Sequence, residues 1–162
     1  MQRRTLGLVT GLLAGVALAA GCSTLDKEIA MNQHASGPFD VKLAKLEPYN
    51  VSEGAGMARM SIDKQFHGDL DASSQGEMLS CGSAKDSGGY VAIERVTGTL
   101  HGRRGSFALQ HKATMTRGVP ALDIIVVPGS GTGELSGLRG TMNIVIAAGG
   151  AHSYAFEYTL EQ

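Results

Sequence analysis

From Phe39 onward apolar and polar residues alternate with a period of two, in short runs broken by glycine, proline and asparagine. Phe39, Val41 and Leu43 alternate with Asp40 and Lys42, and Met60, Ile62 and Phe66 with Ser61, Asp63 and Gln65. Near the end, Tyr154, Phe156, Tyr158 and Leu160 alternate with Ala155, Glu157 and Thr159. Successive side chains of a strand point to opposite faces, so this pattern predicts half-buried strands. About eight are expected, near residues 38–46, 57–67, 75–81, 89–100, 105–115, 121–128, 138–147 and 152–160. No helical period persists beyond the first twenty or so residues. Short connections imply antiparallel neighbours, and eight such strands can close into an up-and-down barrel. A two-sheet sandwich gives much the same local pattern.

A repeat separates these two. Thr97-Gly98-Thr99-Leu100-His101-Gly102-Arg103-Arg104-Gly105-Ser106-Phe107 recurs as Thr132-Gly133-Glu134-Leu135-Ser136-Gly137-Leu138-Arg139-Gly140-Thr141-Met142. Both copies read T-G-x-L-x-G-x-R-G-[ST]-[FM], and a degraded third copy runs from Phe66 to Gly76. Glycines at such offsets mark a strand end, a tight turn and a strand start. A meander repeats its turn chemistry and a Greek key need not. The expected fold is therefore all-β, an eight-stranded antiparallel up-and-down barrel.

The beginning of the chain departs from the strand pattern. Arg3 and Arg4 precede an apolar run from Leu6 to Ala20. Its length suits a signal peptide and falls short of the roughly twenty residues a spanning helix needs. The run ends in Leu18-Ala19-Ala20-Gly21-Cys22, which resembles the lipobox of bacterial lipoproteins, although Ala19 stands where leucine is commonest. The resemblance implies a lipidated Cys22 carrying acyl chains such as palmitate. With Ser23 following, it implies an outer-membrane anchor facing the periplasm, in the cell envelope. An ordinary secretory signal cut near Ala20 is the alternative and would leave the protein secreted or periplasmic. Three segments are expected: a lipoprotein signal peptide over 1–21, a polar tether over 22–37 and a barrel domain over 38–162.

Without the leader, 12 basic residues face 15 acidic ones, with no basic stripe. Nucleic-acid binding has no electrostatic footing here. If Cys22 carries lipid, Cys81 is the one cysteine left, no internal disulfide forms, and Cys81 reads as a small buried hydrophobe. His34, His67, His101, His111 and His152 lack zinc spacing, so no metal and no cofactor is expected. Pro128-Gly129-Ser130-Gly131-Thr132-Gly133 lacks the Gly-Lys-[Ser/Thr] ending of a phosphate loop and reads as bulge and turn glycines.

Chemistry is expected on the strands that feed the first repeat. With a turn centred on Gly102-Arg103, Glu94 lies across from His111 and Arg95 across from Gln110. One face then carries Tyr90, Ala92, Glu94, Val96, Phe107, Leu109 and His111; the other carries Val91, Ile93, Arg95, Thr97, Ala108, Gln110 and Lys112. Two hydrated cations make the second face the exterior, so Glu94 and His111 point inward. An inward carboxylate must be neutral, paired or wet. A Glu94–His111 pair meets that need and can bind or activate a polar group on a ligand; a satisfied structural pair is the alternative. Replacing Glu94 by glutamine is expected to abolish binding at little cost in stability. Lys64, Glu77, His152, Tyr154 and Tyr158 also fall on otherwise apolar faces, Glu77 and Lys64 as mouth residues and the tyrosines as core. The expected ligand-binding set is Tyr90, Glu94, His111, Glu77 and Tyr154, with Glu94 and His111 the candidates for catalysis.

Phe66 to Leu70, Gly89 to Gly98, Gly105 to His111 and Val127 to Leu135 carry a resemblance that runs from about Phe39 to Leu160. In these stretches the chain resembles an uncharacterised bacterial family, domain of unknown function 3224. That resemblance implies a fold similar to the allene oxide cyclase barrel, a calycin-like one, and brings no activity with it. The leading function is a lipid-anchored barrel that binds a small, partly apolar ligand in its interior. Second is an isomerase or cyclase similar to allene oxide cyclase, with Glu94 giving acid–base help and His111 orienting it. Third is a structural or partner-binding lipoprotein, such as a homodimer, whose outward Val91 and Ile93 form the interface.

Overall fold

In the computed structural model, which describes residues 32–51 and 56–161, the two-residue alternation becomes strands throughout. They are β1 (Gln33–Leu46), β2 (Met57–Phe66), β3 (Leu70–Ala84), β4 (Ser87–Leu100), β5 (Arg103–Thr116), β6 (Val119–Val126), β7 (Thr132–Gly133), β8 (Leu138–Ile146) and β9 (His152–Leu160). Every pairing is antiparallel, in the order β4-β3-β2-β1-β9-β8-β6-β5, and β4 also pairs with β5. That last ladder closes the sheet into an eight-stranded barrel, which excludes the two-sheet sandwich. The two-residue β7 continues along β5 beyond the end of β6.

The expected signal segment, Cys22 and most of the expected tether lie outside the described residues. The tether's last part does not behave as one. β1 begins at Gln33, and Gln33 to Phe39 pair in antiparallel register with Tyr158 to His152 of β9. Ala35 is fully buried there, so the strand starts five residues before the expected boundary at 38. β3 likewise starts at Leu70 rather than 75. Its inward side chains Leu70, Ala72, Ser74 and Gly76 are mostly small, which mutes the hydrophobic period a sequence can display.

The first repeat is the β4–β5 hairpin, with a two-residue turn at His101 (φ 46°) and Gly102 (φ 78°) between paired Leu100 and Arg103. Both residues sit in the left-handed region, as a type I′ turn requires. The turn thus sits one residue earlier than expected, and the register is offset by two. Glu94 pairs with Leu109, and His111 with Ala92. A shift of two preserves the faces, so the inward and outward sets stand as expected. The second repeat lies against the first: Gly133 and Thr132 pair with Gly105 and Ser106. Glu134 N donates to Arg104 O (2.9 Å), and Arg104 N to a Glu134 carboxylate oxygen (2.8 Å). The Pro128–Gly131 bulge covers Ala108, whose N–H donates to Ser130 Oγ at 3.0 Å.

The two ends of the barrel differ. The turns after β2, β4 and β7 share one end, and there Leu70, Leu100, Leu135 and Leu138 are fully buried. Behind them Phe107, Phe156 and Tyr158 stack, with centroids 5.9 and 5.2 Å apart. At the other end the inward residues become progressively exposed along each strand. On β6 the series runs from buried Val126 and Ile124 to Leu122, 40% exposed. On β8 it runs from buried Met142 through half-buried Ile144 to Ile146, 64% exposed. The interior therefore opens as an apolar cup over a packed base.

Candidate functional site

At the floor of the cup, four consecutive strands each contribute one polar side chain: Lys64 from β2, Ser74 from β3, Glu94 from β4 and His111 from β5. All four are buried, and Glu94 is 0% exposed. Glu94 Oε1 accepts from Lys64 Nζ at 2.6 Å and from His111 Nε2 at 2.7 Å; Oε2 accepts from Ser74 Oγ at 2.6 Å. Lys64 and Ser74 are directly paired across β2 and β3, whereas Glu94 is paired with Gly76. A Cβ on Gly76 would stand 2.6 Å from Glu94 Cβ, so the glycine is what lets the Glu94 backbone come this close.

Burial pushes the Glu94 carboxyl up. The hydrogen bond from His111, the charge and hydrogen bond of Lys64 and the Ser74 hydroxyl outweigh it and hold the pKa at about 2. The carboxylate is therefore ionised and fully partnered. Lys64 Nζ also lies 5.4 Å from the Phe39 ring centroid and 5.7 Å from that of Phe66, within cation–π range. Tyr90, two inward positions nearer the mouth, is half-buried; burial and the Glu94 charge raise its phenol pKa. It stays a neutral hydroxyl.

Of the expected set, Tyr90, Glu94 and His111 are brought together. Glu77 is not: it lies on the outer wall, where Arg59 Nε and Nη2 donate to its two oxygens at 2.8 and 2.9 Å. Gly76 and Met78 take the inward positions on either side, and the pleat sends Glu77 out. Tyr154 is inward but sits over the packed base. Its hydroxyl accepts from Leu70 N (2.8 Å) and donates to His67 O (3.0 Å), tying down the β2–β3 turn. Tyr158 is buried likewise, donating to Gln33 Oε1 and bonded to His101 Nδ1. His152 is half-buried with its ring 5.2 Å from Phe39. Cys81 is exposed rather than a buried hydrophobe, because it falls on the outward phase of β3 near its rim end. Val91 and Ile93 are exposed on the outer wall.

Two members of the cluster escape sequence reasoning. Lys64 is a buried ion partner rather than a mouth residue, and Ser74 is the second-oxygen donor. A lysine at an inward position of an alternating strand was the only signal for the first. Nothing marks Ser74 apart from Ser73. With Lys64 bound to Glu94, glutamine at 94 would strand a buried ammonium, so its substitution is not the mild change expected from sequence. Among the described residues no group of three His, Cys, Asp or Glu could hold a metal ion.

A closed antiparallel barrel with a buried ionic cluster beneath an open apolar cup is the class this chain defines. The family model for "Protein of unknown function (DUF3224)" matches residues 35–158, and the chain belongs to that family. Among solved structures it is similar to the crystal structure of a DUF3224-family protein with unknown function from Shewanella oneidensis MR-1. The two are 48% identical, with a TM-score of 0.77, over 82% of this chain and 99% of that one. Among curated proteins, none matches.

Proposed function

We propose that the barrel binds a small, partly apolar ligand in its open half, with the Lys64–Glu94–His111 cluster as the polar floor. The observation that carries this is the exposure gradient of inward residues ending on a buried, charged cluster. A core needs no ions: apolar residues of similar volume serve at least as well in most buried ion pairs. Concave apolar surfaces with a few convergent polar groups are the usual form of a small-molecule site. The leader sequence supports a lipid on Cys22 that holds the domain to the membrane in the cell envelope. Several acyl chains give firm anchoring at about 0.8 kcal/mol per buried methylene.

Mass spectrometry of the protein purified under native conditions tests the binding: a retained small molecule, released on denaturation, is the expected result. No retained mass, together with no binding of naphthalene-type probes, overturns it in favour of a structural or partner-binding barrel. The intact mass of membrane-extracted protein tests the anchor, which predicts loss of residues 1–21 and added acyl mass, both removed in Cys22→Ser.

A second function is favoured by one detail. Glu94 is wholly buried and ionised, while His111 is 3% exposed. An isomerase or cyclase built here would use His111 as the proton acceptor and Glu94 to orient and stabilise it, the reverse of the roles the sequence suggests.

A further inference from the structure

The cluster fixes which hydrogen-bonding group the cup presents. An ionised Glu94 can only accept, so Lys64 Nζ, Ser74 Oγ and His111 Nε2 must all donate to it. With one proton on the imidazole, that proton sits on Nε2 and the lone pair sits on Nδ1. Lys64 Nζ, 2.6 Å from the same oxygen, is the cation that pairs with the carboxylate. Nδ1 has no partner among the described residues. No sealed side-chain polar atom among them lacks one, so Nδ1, on an inward side chain that is 3% exposed, keeps a small accessible surface. The inward neighbours of the ring toward the mouth are Ala92, its partner on β4, and Ala113, the next inward position on β5, which is paired with Tyr90.

Resting on the cup as the binding site, we propose that His111 Nδ1 is a dedicated acceptor for the ligand's hydrogen-bond donor. The cup then selects neutral apolar molecules that carry a hydroxyl, alcohols or phenols, over ethers of the same shape. An ether oxygen would face the Nδ1 lone pair and leave both unsatisfied, and a buried unmatched acceptor is what such sites reject most strongly.

Isothermal titration of the mature, leader-free protein with 1-naphthol and with 1-methoxynaphthalene reads this directly. Naphthol is expected to bind roughly tenfold or more tightly than the ether, with the difference removed in His111→Leu. Equal binding of the two by the unmodified protein overturns the donor selectivity and leaves the cup standing; binding of neither overturns the cup as well. A long-range proton–nitrogen NMR spectrum of unliganded protein supplies a readout independent of any ligand and of the variant's folding. A His111 ring protonated on Nε2 alone supports the assignment; one protonated on Nδ1 overturns it.

Discussion

The two ends of this barrel use the same alternating pattern to opposite purposes. At the turn end, the inward residues are leucines and aromatics that meet at the axis and exclude water. Toward the other end, the inward positions are just as apolar, with Leu43, Met60, Met78, Leu122 and Ile146, yet they stay wholly or partly exposed. Composition does not separate them. The packed end has three turns that carry leucines into the axis, tied to one another: His101 N donates to Asp69 O, and Leu70 pairs with Leu100. Nothing among the described residues plugs the other end. The ionic cluster lies at the boundary, where the interior is still dry but its upper surface borders the cup.

The comparison breaks most readily through the core. Phe156→Ala should cost about 3–5 kcal/mol in chemical denaturation, whereas Leu122→Ala at the rim should cost less than about 1. Equal losses would mean that the open end is packed in solution. Next is Glu94→Gln, which strands Lys64 and should lower stability by about 3 kcal/mol; a change within about 0.5 would mean that Lys64 finds water or another partner.

Acid acts on the same contact. The Glu94 carboxyl is held at about 2 in the folded state against an ordinary 4.5. A depressed folded pKa stabilises fully above the unfolded value and loses that stabilisation as pH falls through the folded one. Melting temperatures should therefore decline between about pH 4.5 and 2, for a total on the order of 3 kcal/mol. Glu94→Gln should flatten that decline, and a parallel decline in the variant would assign it to other carboxylates.

Smaller effects sharpen the picture. Tyr158→Phe removes a hydroxyl bonded to Gln33 and His101 and should cost about 1 kcal/mol, by thermal melting. The combined Lys64→Met, Glu94→Leu, His111→Leu variant should be near neutral in stability while losing the preference for 1-naphthol over 1-methoxynaphthalene. A loss of several kcal/mol there, with binding intact, would make the cluster a structural device.

Much of the fold is legible in the chain because strand phase is a local property. Side-chain direction alternates residue by residue, so Glu94 and His111 read as inward without knowledge of any partner. The hairpin turn lies one residue from its expected place, which moves the cross-strand register by two, and an even shift leaves the faces intact. Glu77 and Cys81 failed for the same local reason. Their strand is marked by small inward residues, and its phase cannot be taken from hydrophobicity alone. Lys64 shows a different limit. Its inward phase was visible, but its depth along the barrel depends on how β2 is staggered against β4, two strands away.

The sequence by itself determined most of the strands and their faces, the turn chemistry and the all-β class, since each follows from alternation and glycine placement within a few residues. It also carries the lipobox-like stretch Leu18-Ala19-Ala20-Gly21-Cys22, on which the proposed lipid at Cys22 rests. Only the tertiary structure decided that Lys64, Ser74, Glu94 and His111 converge, that one end is packed and the other open, and that Glu94 is wholly buried among its three partners. Closure and stagger set those distances, and both are properties of the whole ring rather than of any one hairpin.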